Sequence, residues 1–286
     1  MSEPEIPQEP TLETPTTRIY TDYPGYAPKK SKHGLDDLGP TAADDGTPVM
    51  IEGPPHPGKE WTRFVCISDT HSESYPIPRG DVLLHSGDLS SWGQADQLRE
   101  TIDWIASLEG FQLCLDAEWC KRYSQPSKGL SIEEREYEEA KRIITDEQLM
   151  KGIHYLEHEA YEFTTPEGKQ WKVYGSPAAP QHALGAFQYR TDAEAKGVYN
   201  LIPRTTEILL THTPPYRILD KTRKGKHAGC RVLKDKLESG KLRNLKLHVF
   251  GHIHEASGAA IMENGGVEVN AAVAWGAKPI IVDLKN

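Results

Sequence analysis

Cysteine is scarce in this chain of 286 residues, which holds only Cys66, Cys114, Cys120 and Cys230. Four thiols without zinc-finger spacing exclude a disulfide-dense scaffold and a structural zinc module, and they fit reduced cysteines inside a cell. Long apolar runs are lacking too. Nothing approaches the roughly 20 consecutive apolar residues that a membrane-spanning helix needs. The first residues carry no basic stretch followed by an apolar one, the mark of a secretory signal, so a cytoplasmic location is expected. Basic clustering is equally sparse. With 33 basic against 42 acidic residues the net charge is −9. No stripe is available to neutralise a phosphate backbone, and no nucleic-acid partner is expected. The one basic run, Lys221-Thr-Arg-Lys224-Gly-Lys226, reads as a solvated loop or as a local attraction for an anionic substrate.

Proline is abundant, but unevenly so. The first sixty residues hold 11 of the 21 prolines, and 11 acidic residues against 5 basic ones. Runs such as Pro54-Pro55-His-Pro57 cannot form a helix or a central strand. Residues 1–59 are expected to be an extended, largely disordered arm. Residues 60–286 make a single domain of comfortable size.

Within that domain, apolar runs of strand length alternate with helical patterns. Strands are expected at Trp61–Ile67, Val82–His85, Glu207–Leu210 and Leu245–Phe250, and a hairpin from Ala160–Phe163 to Trp171–Tyr174. Helices are expected at Ala95–Leu108, Ser131–Tyr155 (opened by the capping-box pattern Ser131-Ile-Glu-Glu134), Asp192–Tyr199 and from Cys230. Gln112–Lys128 reads as irregular, and Ala259–Met262, Val267–Asn270 and Ile280–Leu284 as a closing β-meander. The alternation indicates an α/β layered fold with a mixed sheet or sandwich at its core.

The chemistry sits at the ends of these runs. Phe64–Ile67 leads into Asp69 and His71, Val82–Leu84 into Asp88, Ile208–Leu210 into His212, and Leu247–Phe250 into His252 and His254. Strand residues two apart share a side, so Asp69 with His71, and His252 with His254, can each aim at one point. Mixed carboxylate and imidazole donors suit manganese, iron or zinc better than calcium or magnesium. Asp88 follows Gly87, which lets backbone and ions approach closely, and it is the natural bridge between two ions. His85, His154, His158, His182, His227 and His248 are read as local hydrogen-bonding residues, with His227 nearest to a pocket role.

These blocks, in this order, resemble the calcineurin-like metallophosphoesterases. Within them the chain is most similar to the metallophosphoesterase domain-containing proteins, on Ile67-Ser-Asp-Thr-His71, His85-Ser-Gly-Asp-Leu89, Tyr174-Gly-Ser-Pro177, Thr211-His-Thr-Pro-Pro215, Gly229-Cys230 and Gly251-His-Ile-His-Glu255. The resemblance implies a four-layered α/β/β/α sandwich with mixed sheets. It also implies two divalent metal ions, one held by Asp69, His71 and His254, the other by His212 and His252, with Asp88 bridging. Asp88 and His212 are then the residues expected to bear on catalysis. The implied activity is hydrolysis of a phosphoester small molecule, a phosphodiester, phosphomonoester or nucleotide, by a metal-bound hydroxide. One family block is missing. The Gly-Asn-His motif that follows a strand after Asp88, and that supplies a further ligand and a transition-state donor, has no counterpart here. A whole strand with its loop is expected to be absent around Gln112–Asp116. The alternative is therefore a catalytically inactive metal- or nucleotide-binding member of the family. A scaffold recruiting partners through the proline-rich arm ranks last, because no Pro-x-x-Pro segment there has flanking basic residues.

Overall fold

The structure, a computed structural model, describes residues 9–24, 50–108, 111–116, 134–146, 149–150, 152–182 and 186–286. Strands β1 (Leu12–Thr14), β2 (Thr17–Tyr20) and β3 (Met50–Ile51) come first, followed by β4 (Trp61–Ile67), β5 (Ile77–Pro78) and β6 (Val82–Ser86). Helix α1 (Ala95–Ala106) leads to β7 (Gln112–Asp116), and α2 (Glu134–Thr145) to β8 (Ile153–Tyr155). Next come β9 (Glu159–Thr164), β10 (Gln170–Ser176) and the short pair β11 (Ala179–Pro180) and β12 (Gln188–Tyr189). Helix α3 (Asp192–Tyr199), β13 (Ile208–Thr211), α4 (Arg231–Glu238) and β14 (Leu247–Phe250) follow. The chain closes with β15 (Gly258–Ile261), β16 (Val267–Asn270) and β17 (Ile280–Lys285).

The strands form two main sheets, ordered β1-β2-β17-β4-β6-β7-β8 and β15-β16-β14-β13-β10-β9. Their side chains sort by strand alternation. Phe64, Cys66, Val82 and Leu84 face Trp171, Val173, Ile208, Leu210, Leu247 and Val249 in a core between the sheets. Val65, Ile67 and Leu83 point the other way, onto Leu98, Ile102 and Ile105 of α1 and Ile143 and Ile144 of α2. Tyr174 and Leu209 of the second sheet pack against Ala195 and Tyr199 of α3 and Val232 and Leu233 of α4. Three apolar interfaces between four layers are the expected α/β/β/α sandwich, and the sheets are mixed, with parallel and antiparallel pairs in each.

Several local expectations are corrected. Residues 12–14 and 17–20 are strands rather than disordered arm: β2 pairs antiparallel with β17, and Ile19, Tyr20 and Tyr23 are buried. The apolar residues between the prolines gave the segment a face to bury, which average composition conceals. Arg63, itself buried, holds the rest of the approach. It pairs with Asp283 through two 2.7 Å contacts and donates to the carbonyls of Pro54 (2.5 Å) and Pro55 (3.0 Å). Gln112–Asp116 is a strand, not irregular chain, and it pairs parallel with β6 from Val82↔Gln112 to Ser86↔Asp116. The helix expected to run to Tyr155 ends at Thr145, and Ile153–Tyr155 joins the first sheet beside β7 after the positive-φ Gly152 (+69°). Its proposed cap at Ser131 lies outside the described residues, as do the two cysteines Cys114 (side chain) and Cys120. The closing meander is not one. β15 and β16 pair in the second sheet, but β17 crosses to the first, because Ile280, Val282 and Leu284 face one core while Ile281 faces the other. Among the described residues no helix is long and apolar enough to cross a membrane.

Candidate metal centre

Strands β4 and β6 are parallel neighbours in one sheet, and β13 and β14 in the other. Their carboxyl ends open on one edge of the sandwich, the usual place for a ligand in sheets of this kind. Asp69 and His71 follow β4, Asp88 follows β6, His212 follows β13, and His252 and His254 follow β14. All six expected residues are brought together there.

Their convergence does not come from strand alternation. The strands stop at Ile67 and Phe250, and the donors sit in tight turns with left-handed backbones: Asp69 (φ 56°), His71 (49°), Asp88 (53°) and His252 (67°). Such conformations cost about 1 kcal/mol or more for a residue with a Cβ, and they persist where the surroundings over-determine them. His254 instead opens a 3-10 turn, His254–Ala256. Two glycines make the approach possible. A Cβ on Gly87 would stand 2.5 Å from His212 Nδ1, and one on Gly251 would overlap Asp69 Oδ2 and Ser68 Oγ.

The donor atoms face one another. His254 Nε2–H donates to Asp69 Oδ1 at 3.0 Å, and the His252 backbone N–H lies 3.0 Å from each Asp69 carboxylate oxygen. His71 Nε2 is 3.3 Å from His254 Nε2 and 3.6 Å from Asp88 Oδ2. On the other side, His212 Nε2 is 3.1 Å from His252 Nδ1 and 3.7 Å from Asp88 Oδ1. His212 Nδ1–H donates to the Ser86 carbonyl at 3.1 Å, which fixes the tautomer and puts the lone pair on Nε2, as in metal-ligating imidazoles. Asp69, His71, Asp88 and His254 each offer an atom within 4.8 Å of the others. Imidazole nitrogens turned on each other at hydrogen-bond distance, with carboxylate oxygens among them, make a donor set that fits a borderline divalent cation.

Electrostatics follow the packing. Burial pushes the Asp69 carboxyl up, but the His254 hydrogen bond and the charges of His254, His212 and His71 together hold it well below the usual carboxylate range. Burial would depress His254, yet the Asp69 hydrogen bond and the charges of Asp69 and Asp88 leave it raised. His252 is driven down to about 4 by burial and by His212. The site thus keeps an ionised carboxylate in its floor and a neutral imidazole on the His252 side.

The chain is 32% identical over 261 residues to human metallophosphoesterase domain-containing protein 1, a match that covers 83% of this chain and 74% of that protein. The chain belongs to that family. The chain is also 36% identical over 206 residues to a probable rhamnogalacturonate lyase C of Emericella nidulans, where the match covers 70% of this chain and 18% of that much longer protein. No protein-family model matches the chain. Among solved structures, a putative 5′-nucleotidase from Staphylococcus aureus aligns over 78% of this chain and 50% of its own, at 11% identity and a TM-score of 0.44. The homology and the donor cluster together support phosphoester hydrolysis as the general chemistry and a metal as its cofactor.

Three further residues surround the centre. Asn270 donates from Nδ2 to the carbonyls of Leu219 and Ile253, both at 2.9 Å, and so ties the loop after β13 to the loop after β14. Trp275, exposed at the rim with φ 64°, sets its ring 5.0 Å from that of His254. His182 lies edge-on to His252 at 6.4 Å. The family resemblance marks Asn270 only as a position near the site, without a role, and Trp275 reads from sequence only as a core or rim aromatic; their partners, and the place of His182, come from tertiary pairing. His85, His248 and His154 match the local expectation, bonding Thr70 (3.0 Å), Thr211 (2.9 Å) and Tyr161 (2.7 Å).

Proposed function

We propose that this protein hydrolyses a small phosphoester, a phosphodiester, a phosphomonoester or a nucleotide, at a centre for two divalent ions. Asp69, His71 and His254 would hold one ion, His212 and His252 the other, and Asp88 both. The observation that carries this assignment is the placement of Asp88, whose Oδ2 lies 3.6 Å from His71 and whose Oδ1 lies 3.7 Å from His212. One carboxylate turns an oxygen to each half of the cluster. Manganese, iron or zinc suits the donors. Ions held there would supply a water of lowered pKa, towards about 7, and positive charge against a phosphoryl group. The protein's own residues supply orientation. Ser86 fixes the His212 ring, Asp69 locks the His252 backbone, and Gly87 and Gly251 leave room for the turns to close. Asp88 and His212 are the residues on which turnover depends. Buried free thiols at Cys66 and Cys230 support a reducing, cytoplasmic setting.

Elemental analysis of the purified chain, paired with hydrolysis of bis-p-nitrophenyl phosphate in manganese, tests this. Two ions per chain are expected. Asp88→Ala should cut turnover by more than the about 10–100-fold that an outer partner of a metal ligand is worth. One observation favours a second assignment, a metal- or nucleotide-binding protein without turnover: the Gly-Asn-His block is absent from the sequence. One ion or none, measurable nucleotide affinity and no hydrolysis above blank would establish it and exclude catalysis.

A further inference from the structure

The one basic run of the sequence is built against the metal centre. Lys221 and His227 face each other as an antiparallel bridge, Thr222 N–H donates to the Lys226 carbonyl at 2.8 Å, and Gly225 N–H donates to Thr222 at 2.8 Å, so residues 221–227 fold as a small hairpin. Its base is organised by Asp220, 1% exposed. That carboxylate accepts from the backbone N–H of Arg217 (2.8 Å) and Gly229 (2.9 Å) and meets His227 Nδ1 at 2.6 Å. Arg217 (φ 66°) and Leu219 (φ 44°) hold left-handed backbones on the way in, a strain that marks a constrained segment.

Three contacts fasten this hairpin to the loop of His252 and His254. Asn270 ties Leu219 to Ile253, as described above. The Arg223 N–H donates to the Glu255 carboxylate. The Arg223 guanidinium lies 4.8 Å over the Trp275 ring, which itself touches His254. Between hairpin and loop is a cavity of about 330 Å³, lined by Arg217, Asp220, Lys221, Arg223 and His227 on one side and Glu255 on the other. Lys224 and Lys226, equally basic, lie outside it.

A general attraction for anions needs only net charge, not a fixed hairpin with a buried carboxylate at its root. Arg217, Lys221 and Arg223 outnumber the carboxylates Asp220 and Glu255 in the lining by one, three against two, and a bound anion would meet that excess positive charge. The guanidinium fork and the ammonium group match phosphate oxygens. We propose that the cavity is a second-phosphate subsite. It receives the other phosphoryl group of a ligand whose first phosphoester lies on the metal centre, so the substrate class is a small molecule carrying two phosphoryl groups. Which of the two is cut rests on the hydrolase function proposed above; the subsite itself does not.

Calorimetric titration of the full chain, loaded with manganese, compares adenosine 3′,5′-bisphosphate with adenosine 5′-monophosphate, and released phosphate is measured in the same samples. The bisphosphate should bind at least about tenfold more tightly, the least that one charge-assisted contact is worth. Arg223→Gln and, separately, Lys221→Gln should bring that ratio close to one; the second variant serves if the first disturbs the Trp275 contact. Lys224→Gln removes the same charge outside the cavity and should keep the ratio. Equal affinities in the parent chain overturn the subsite, and so does a Lys224→Gln loss as large as that of Arg223→Gln. An intact ratio without phosphate release upholds the subsite and removes the hydrolase function instead.

Discussion

Gly251→Ala isolates the packing on which the centre depends. Gly251 has an ordinary backbone conformation, absent from the positive-φ glycines, so alanine adds a methyl group and no torsional strain. That methyl would overlap Asp69 Oδ2 and Ser68 Oγ and stand 2.7 Å from Ser68 Cβ. Restoring ordinary contact requires the ends of β4 and β14 to part by roughly 1 Å, since carbon atoms pack at about 3.5–4.0 Å. The two 3.0 Å approaches of the His252 N–H to the Asp69 carboxylate would then lengthen beyond a hydrogen bond. Overpacking and a weakened bond to a charged group together should cost about 2–4 kcal/mol. For a domain of this size that is a melting temperature lower by about 5–15 °C. Metal affinity should fall by about 10–100-fold, because Asp69 is itself an assigned ligand and holds the His252 backbone in place. Thermal melting and a metal titration read the two effects. Gly197→Ala is the control. It lies on the exposed side of α3 with nothing within 4 Å of an added Cβ, and it should stabilise by about 0.5–1 kcal/mol. A Gly251→Ala chain that melts with the parent and binds metal equally well would refute the argument that this contact holds the centre.

Two further outcomes follow from the packing. Arg63→Met strands the buried Asp283 and should cost about 3–5 kcal/mol, while Arg63→Met with Asp283→Leu should recover most of it; denaturant melts of the two chains decide, and equal losses would sink the idea. His85 is fully buried and pushed down to about 3, chiefly by burial. Its folded pKa lies below its unfolded value near 6.5, so stability is full above that pH and is lost as the unfolded chain takes up a proton. The loss should reach about 2 kcal/mol at pH 5 relative to pH 8. Melts of the chelated chain should show it, with a slope about one proton shallower in His85→Gln, and an unchanged slope would contradict the assignment.

The sheets and the donor set were legible because each depends on a short-range pattern. Phe64 to Ile67 and Ile208 to Leu210 are buried on both faces, and continuous apolar runs declare such strands. Asp69, His71, Asp88, His212, His252 and His254 are marked by standing where those runs end. What pattern could not give is anything decided by pairing. Ile280–Leu284 reads as the next strand of a meander, and only the need to bury Val282 and Ile281 on opposite faces sends it to the other sheet. Ile19 and Tyr20 vanish into an average dominated by prolines and acids. Asp220 looks like any loop aspartate until its three partners are in place.

Strand β7 separates two losses that the sequence reading combines. An absent strand would have left ladder groups of β6 and β8 without partners, a penalty of fold stability. Instead Gln112–Asp116 pairs with β6 on one side, and Leu113–Leu115 with Ile153–Tyr155 on the other. The ladder is continuous, and the missing Gly-Asn-His block concerns chemistry alone. None of the six converging residues comes from β7, so the cluster assembles from β4, β6, β13 and β14 without it. The two halves are nevertheless unequal. On the proposed assignment one ion has Asp69, His71, His254 and a share of Asp88, while the other has two imidazoles and the remaining share. A carboxylate adds charge neutralisation that neutral imidazole does not, so the His212–His252 ion should be held more weakly. Stepwise chelation, followed by elemental analysis, should remove one ion well before the second. His252→Ala should abolish the weak step and keep the strong one, and two steps of equal affinity would refute the unequal division.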